Sequence, residues 1–187
     1  DYNVKTEIGD YALYLGRLSK EKGINNLIEA FSKCEKGKLY IAGDGPEKAY
    51  IEKFIKKYKL EERVLMLGFL NKEQVTEYVR KSRFVVVPSI WFENCPYSLL
   101  ETLAVGKPVI GANIGGIPEL VVNNENGFIY KYDDINDLAD KMKKLFEDEK
   151  IVKDFSKKSK ELSKQYDKDE YYLKIIKIYE NIIKGVN

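Results

Sequence analysis

Short apolar runs alternate with helix-patterned segments along most of the chain, and this alternation is what most restricts the fold. The run at residues 84–87 is mostly β-branched and is followed by proline, and the runs at 11–15, 38–42 and 64–67 are each followed by glycine, which is typical of buried parallel strands. The segments between them place apolar residues at helical spacing, as Ile24, Leu27 and Phe31 do. This order predicts an α/β, Rossmann-like parallel sheet with helices on both faces. The predicted strands cover residues 11–15, 38–42, 64–67, 84–87, 109–111 and 127–130.

Length and charge limit the domain organisation and the possible partners. A chain of 187 residues suffices for one well-buried α/β core and is short for two. We expect residues 1–10 to be a leader or linker, residues 11–165 to form the domain, and residues 166–187 to form a C-terminal helix with a broad apolar face. The near balance of 32 basic and 30 acidic residues gives no nucleic-acid footprint. The sequence has no signal-like segment and no membrane-length apolar run, which predicts a cytoplasmic location.

The residue types that usually bind metals are scarce. The sequence has two cysteines, Cys34 and Cys95, and no histidine, so we predict neither a disulfide framework nor a metal site. Because histidine is the commonest general base, any proton transfer must rely on carboxylates, the substrate or another domain.

Residues 84–101 combine a buried strand, a loop and the start of a helix. Pro88 ends the strand, and Pro96 fits the first turn of the helix. The N–H groups of a first helical turn have no intrahelical partners and lie at the positive end of the helix dipole, so they predict an anion site. These amides belong to Tyr97, Ser98 and Leu99.

Two carboxylates flank this helix start. Glu93 lies in the loop before the helix, and Glu101 lies about one turn inside it. A carboxylate only accepts hydrogen bonds, so two of them beside an anion site suit a ligand that carries hydroxyl groups as well as negative charge. For either glutamate alone, a solvated surface carboxylate would be the ordinary interpretation.

A second group of candidate residues follows the first predicted strand. Gly16 lets the backbone approach a ligand, Arg17 offers a planar fork of donors and Lys22 offers a compact charge. Together these features suit a diphosphate. Parallel sheets bind ligands at the carboxyl ends of their strands, where we expect the loops carrying Arg17, Gly43 and Glu93 to converge.

The Glu-x7-Glu spacing is followed by AVGKPVIG in residues 104–111 and GGIPELV in residues 115–121. Over residues 11–146 this ordered set resembles the donor-binding half of retaining glycosyltransferases with the GT-B fold. More narrowly, it resembles glycosyltransferase family 4, the glycosyltransferase group 1 proteins. The loop departs from the common pattern, because residues 94–96 read Asn-Cys-Pro where many members have glycine, an aromatic residue and glycine. Proline donates no N–H, so this loop offers fewer amides.

The resemblance implies a role for each candidate residue. The catalytic residues would be Arg17 and Lys22, which neutralise the donor's diphosphate as the sugar–phosphate bond breaks, and Glu93, which contacts the transferred sugar. Glu101 would accept hydrogen bonds from the ribose, and the main chain after the third strand would lie near the base. No metal or cofactor is implied beyond the nucleoside diphosphate sugar. The residues implied to bind it are Gly16, Arg17, Lys22, Phe69, Leu70, Glu93, Tyr97, Ser98, Leu99 and Glu101.

By the same resemblance, the full-length enzyme transfers a hexose to an acceptor hydroxyl with retention. The acceptor, a glycan, a lipid or a small molecule, would bind through an N-terminal domain absent from this sequence, so we expect the chain alone to bind donor weakly and transfer little. The C-terminal helix either crosses to that domain or packs on its own. No nucleic-acid partner is expected, and membrane association of the full-length protein is left open.

Of the other function classes, one fits the sequence equally well and three fit it less well. A non-catalytic nucleotide-sugar-binding module shares every feature above and remains the alternative. A nucleotide-sugar epimerase of the same fold fits the Glu-x7-Glu context less closely. An NAD-dependent dehydrogenase is disfavoured because no glycine fingerprint follows the first strand. A glycosidase needs two carboxyl groups about 5–10 Å apart across a sugar, and the arginine, the lysine and the parallel sheet favour a phosphorylated donor instead.

Overall fold

The computed structural model describes residues 7–185, and its centre is a six-stranded sheet in which every paired strand is parallel. The strands are β1 (Tyr11–Leu15), β2 (Lys38–Ala42), β3 (Val64–Gly68), β4 (Phe84–Val87), β5 (Val109–Ala112) and β6 (Gly127–Tyr130). Their spatial order is β3-β2-β1-β4-β5-β6. This arrangement confirms the predicted Rossmann-like parallel sheet, and each predicted strand agrees with the observed one to within one residue.

Helices connect the strands and continue beyond the sheet. They are α1 (Ile24–Ser32), α2 (Lys48–Lys57), α3 (Lys72–Lys81), α4 (Tyr97–Val105), α5 (Ile117–Leu120), α6 (Ile135–Glu147), α7 (Glu149–Ser163) and α8 (Lys168–Ile183). Local chemistry accounts for several of the helix starts. Asn71 and Gln74 form a reciprocal capping box at α3, and Asp134 accepts two backbone N–H groups at α6.

Both faces of the sheet are covered, as the alternation along β1 demonstrates. Ala12 and Tyr14 belong to the larger apolar cluster, which includes residues of α1 and α6. Tyr11 and Leu13 point the other way into a smaller cluster beneath α3. Since successive side chains of a strand point to opposite faces, this alternation requires helices on each side of the sheet.

The strand order places β1 between β2 and β4, so the chain winds outward in both directions from the centre of the sheet. Such a reversal leaves a crevice at the carboxyl ends of the central strands, because the connections on either side diverge there. The loops after β1 and β4 therefore lie side by side, although they are far apart in the sequence.

Large apolar side chains of α8 are exposed and belong to neither core cluster. Ile178 is the least exposed of them at 54%, and Ile183 the most exposed at 84%. The predicted C-terminal helix thus begins near its expected position, whereas residues 186–187, and residues 1–6 of the predicted leader, lie outside the described part of the chain. From residue 7 to residue 185, no helix has the length and apolarity needed to cross a membrane. The other exposed apolar residues of α8 are Tyr171, Tyr172, Leu173, Tyr179 and Ile182.

Lys107 lies just before β5, at the amino ends of the strands, and is buried with 1% of its surface exposed. Its ammonium group donates hydrogen bonds to the backbone carbonyl of Glu7 and, at 2.6 Å, to that of Ser82. Burial, and to a smaller extent the charge of Arg80, lowers the pKa of Lys107 from 10.5 to about 8. The side chain therefore joins two backbone segments at the cost of a buried charge.

We expect Lys107→Met to lower the free energy of unfolding at pH 7 by about 1–3 kcal/mol, because two buried carbonyl groups lose their donor. The lowered pKa adds a pH dependence. Between about pH 8 and pH 10.5 the unfolded chain holds the proton that the folded chain has released, so the stability of the wild type should rise relative to the variant. Urea unfolding across this range, with the exposed Lys53→Met as control, measures both effects. Equal stability of the two variants would contradict this role.

Candidate functional site

Two adjoining cavities open at the carboxyl edge of the sheet. The β2-side cavity, of about 420 Å³, lies between the ends of β1 and β2 and the start of α4. The β4-side cavity, of about 490 Å³, lies between the loops after β1 and β4. Four residues line both cavities, so the two form neighbouring compartments of one site: Leu15, Gly16, Arg17 and Ser98.

Close contact between main chains forms the floor of the β2-side cavity. A Cβ atom on Gly43 would lie 1.8 Å from the carbonyl oxygen of Gly16, so the β1 and β2 loops can touch only because residue 43 is glycine. The Gly16 amide donates to the carbonyl of Ala42 at 3.1 Å, and the Gly43 amide donates to that of Gly68 at 2.7 Å. The predicted convergence of these loops is therefore direct backbone contact.

Arg17 projects from this floor between the two cavities. Its side chain is exposed and forms no hydrogen bond or ion pair with any other residue between 7 and 185. The backbone nearby is fixed, because the buried Tyr14 hydroxyl donates to the Arg17 carbonyl at 2.8 Å. Burial, with the charges of Glu93 and Glu21, raises the pKa of Tyr14, so this hydroxyl remains a neutral donor. The guanidinium is thus free to bind a ligand anion.

Lys22 and Glu93, which lie 71 positions apart in the sequence, form an ion pair in the β4-side cavity. The Lys22 ammonium lies 2.5 Å from Oε1 of Glu93, and the two side chains are 30% and 17% exposed. The family resemblance implies a phosphate contact for the lysine and a sugar contact for the glutamate, and it does not predict that the two side chains pair. The structure brings both charges to one point beside Arg17.

Backbone packing explains why these two residues meet. Lys22 ends a short 3-10 turn and is followed by Gly23, whose left-handed φ is 66°. A Cβ on Gly23 would lie 2.0 Å from the carbonyl oxygen of Pro88, so glycine allows the turn to sit against the β4 loop. The amide of Ile90 then donates to the carbonyl of Glu21 at 3.0 Å. Lys22 is held where Glu93 can reach it.

The start of α4 lies between the two cavities, and the structure corrects one detail of it. Pro96 is the N-cap and supplies no side-chain cap. Within the described chain, the amides of Tyr97 and Ser98 have no hydrogen-bond acceptor. The Leu99 amide is predicted to be free, but it donates to the Pro96 carbonyl at 2.9 Å because the first turn closes tightly, and its side chain is fully buried. Tyr97 and Ser98 therefore supply the open amides, and Leu99 belongs to the core.

Glu101, Phe69 and Leu70 all line the β2-side cavity, so the structure brings together residues that are predicted from three separate segments. The Glu101 carboxylate forms no hydrogen bond or ion pair among residues 7–185, which leaves it able to accept from a ligand. Phe69 directly follows β3 and is 81% exposed. Among residues 7–185 as a whole, no group of three or more potential metal ligands occurs.

Two further features of the site were missed or left ambiguous by the sequence. Ser89 is buried and donates to Oε1 of Glu93 at 2.7 Å. The Gly116 amide donates to the Glu93 carbonyl at 2.7 Å, and a Cβ on Gly115 would lie 2.5 Å from that same oxygen. The glycine pair therefore supports the loop that carries Glu93. Two consecutive glycines were the only sequence signal for this contact, and they equally suited a simple turn.

The fold and this site define a Rossmann-like domain of the GT-B type, with a site suited to an anionic ligand that also carries hydroxyl groups. The chain belongs to the family of glycosyl transferases group 1, whose model matches residues 3–162. It is 31% identical over 176 residues to an uncharacterized glycosyltransferase of Methanocaldococcus jannaschii, a match that covers 93% of this chain and 49% of that protein.

Solved structures agree with this assignment. Sucrose-phosphate synthase from Thermosynechococcus elongatus matches with a TM-score of 0.85 and 25% identity, over 98% of this chain and 47% of that one. The Anabaena protein HepE, solved in complex with UDP-glucose, matches with a TM-score of 0.78 and 26% identity, over 84% of this chain and 44% of that one. The chain spans about half the length of the curated relatives it matches.

The contact between the glycine pair and the Glu93 loop can be tested with a matched pair of substitutions. Gly115 and Gly185 have left-handed φ values of 58° and 66°, but only Gly115 has neighbours where a Cβ would go. We expect Gly115→Ala to lower the free energy of unfolding by about 1–3 kcal/mol more than Gly185→Ala, because the added methyl overpacks the loop. It should also shift the emission of Trp91, the only tryptophan, which is 66% exposed in that loop. Equal stability and emission in both variants would contradict the contact.

Proposed function

We propose that this chain is the nucleotide-sugar-binding domain of a retaining glycosyltransferase that transfers a hexose from a nucleoside diphosphate sugar to an acceptor hydroxyl. The observation that carries the proposal is the Arg17 side chain, which is unpaired among residues 7–185, placed beside the amides of Tyr97 and Ser98, which lack acceptors in that same range, with a carboxylate on either side. Membership of the group 1 family and the similarity to HepE, solved with UDP-glucose, support the same donor class.

The diphosphate would lie across the boundary between the two cavities. Arg17 would bind it as a planar fork, Lys22 would bind it as a compact charge, and the amides of Tyr97 and Ser98 would donate to its oxygens. Charge-assisted hydrogen bonds contribute about 1.5–3 kcal/mol each, whereas an exposed helix dipole contributes about 0.3–1 kcal/mol. The two cations therefore account for most of the stabilisation.

Sugar and nucleoside would extend in opposite directions from the diphosphate. Glu101 would accept hydrogen bonds from the ribose in the β2-side cavity, with the base near Phe69 and Leu70. The hexose would lie in the β4-side cavity beside Glu93, whose negative charge would stabilise a developing positive charge at the anomeric carbon. The donor would thus extend from the β2-side cavity into the β4-side cavity.

Catalysis would rest on positioning and electrostatic stabilisation. As the sugar–phosphate bond breaks, negative charge grows on the leaving diphosphate, where Arg17, Lys22 and the α4 amides would stabilise it. The leaving phosphate oxygen would take the proton of the acceptor hydroxyl, which suits a site without histidine. In this proposal the two cations, and no metal ion, neutralise the leaving group.

The acceptor would bind largely to a part of the full-length enzyme outside this sequence. The chain spans about half the length of its relatives, and the apolar face of α8 is exposed. Residues 11–165 would form the donor-binding domain, and residues 166–187 would cross to that other part of the enzyme. The isolated chain would then bind donor weakly and transfer little sugar.

Nucleotide binding tests the diphosphate site first. Calorimetric titration with UDP, GDP, ADP and their hexose conjugates should select one nucleotide series. For that series, we expect Arg17→Ala to raise the Kd about 10–100-fold, the worth of one charge-assisted hydrogen bond, and Arg17→Ala with Lys22→Ala to abolish binding. The exposed Lys20→Ala, in the same turn as Lys22, controls for general loss of positive charge and should leave the Kd unchanged.

Two outcomes would count against the diphosphate site. Binding that survives the double substitution would show that these cations do not hold the phosphates. A wild-type chain that binds none of the nucleotides at millimolar concentration would contradict the donor-binding proposal as a whole.

The assignment of Glu101 to the ribose is tested with a modified ligand. We expect Glu101→Gln to weaken binding of the preferred ribonucleotide about tenfold, because a charged acceptor is replaced by a neutral one. The same variant should bind the 2′,3′-dideoxy nucleotide as well as the wild type does, since that ligand has no hydroxyl to donate. Glu52→Gln on the exposed face of α2 is the control. An equal loss of affinity for both nucleotides would contradict a contact between Glu101 and the ribose hydroxyls.

A further inference from the structure

We propose that Ser89 is a positioning residue, which holds Oε1 of Glu93 and so presents Oε2 to a hydroxyl of the transferred sugar. This inference rests on the proposed function, and it adds a residue that the Glu-x7-Glu pattern does not contain. The observation that carries it is the hydrogen bond from the Ser89 hydroxyl to Oε1, 2.7 Å long.

Ser89 is built into the site. Only 1% of its surface is exposed, and it follows Pro88 at the end of β4, four positions before Glu93. The next amide, that of Ile90, is anchored to the carbonyl of Glu21 at 3.0 Å. A buried hydroxyl that has a charged acceptor has little freedom to turn away, because it would lose a charge-assisted hydrogen bond.

The two oxygens of the Glu93 carboxylate have different surroundings. Oε1 accepts from both Ser89 and Lys22, whereas Oε2 accepts no hydrogen bond from any other residue between 7 and 185. Glu93 is 17% exposed on the β4-side cavity, so the free oxygen is available to a ligand there. One oxygen is held by the protein, and the other can accept from a sugar hydroxyl.

Ser89 becomes more important when a donor binds. In the proposed complex the diphosphate attracts Lys22, which weakens the hold of Lys22 on Oε1. The Gly116 amide still fixes the Glu93 backbone through its carbonyl at 2.7 Å, but a fixed backbone does not fix the carboxylate. The Ser89 hydroxyl then remains as the protein donor that sets the carboxylate's orientation.

The test separates the sugar contribution from nucleotide binding. For the wild type and each variant, Kd is measured for the preferred nucleoside diphosphate and for its hexose conjugate. The sugar contribution is the Kd of the nucleoside diphosphate divided by the Kd of the hexose conjugate. We expect Ser89→Ala to lower this ratio about tenfold while Kd for the nucleoside diphosphate alone stays the same. Ser89→Thr, which keeps the hydroxyl, should restore most of the ratio.

A matched control exists in the same region. Ser19 is 6% exposed and donates to Oε1 of the exposed Glu21 at 2.5 Å, so Ser19→Ala removes a serine–glutamate hydrogen bond that does not involve Glu93. It should leave the ratio unchanged. In a background of Glu93→Ala, Ser89→Ala should have no further effect on the ratio, because the serine acts through that carboxylate.

The possible failures are distinguishable. An unchanged ratio in Ser89→Ala, or an equal loss for both ligands, overturns the positioning role while nucleotide binding itself stands. If the wild type binds no nucleotide, the proposed function fails, and the ¹³C resonance of the Glu93 carboxyl group then decides the role of Ser89 in the unliganded protein. That resonance should move in Ser89→Ala but not in Ser19→Ala, and an unmoved resonance overturns the proposal.

Discussion

Close approach of main chains at the carboxyl ends of the central strands is the constraint on which the rest of the site depends. At Gly43, Gly23 and Gly115, any larger residue would place a Cβ within 2.5 Å of a carbonyl oxygen. Since these loops touch through their main chains, backbone forms the floor between the two cavities. The side chains of the loops extend from that floor into the cavities. Lys22 is thereby brought within reach of Glu93, whereas the Arg17 side chain forms no hydrogen bond or ion pair with any residue between 7 and 185.

The charges of the site are arranged so that they partly neutralise each other before a ligand arrives. A half-buried ammonium and a mostly buried carboxylate would each be costly alone, and their ion pair offsets part of that cost. In the proposed complex a diphosphate would compete with Glu93 for Lys22, whereas the side chain of Arg17 has no hydrogen-bond or ion-pair partner among residues 7–185. Under the proposed function, the arginine would therefore contact the anion first, and occupation of the phosphate site would be linked to the state of the Glu93 carboxylate.

Local sequence patterns predicted much of the fold, and long-range contacts limited the prediction of the site. The runs at β1, β2 and β4 are short and largely apolar, and each is followed by glycine or proline, so their limits were predictable to within a residue. The Lys22 and Glu93 pair was not, because it depends on a contact between Gly23 and Pro88 that no local pattern encodes. The Leu99 amide was mispredicted because the tightness of a first helical turn is settled by packing, which buries the Leu99 side chain.

The buried Lys107 has a consequence for the opposite end of the sheet. The carbonyls it binds belong to Glu7, just before β1, and Ser82, just before β4. These two strands share two registered positions, Ala12 with Phe84 and Leu13 with Val85. Their far ends carry Arg17 and the loop to Glu93. The Lys107 ammonium therefore ties together the segments that lead into β1 and β4, the two strands whose carboxyl ends lead to Arg17 and Glu93.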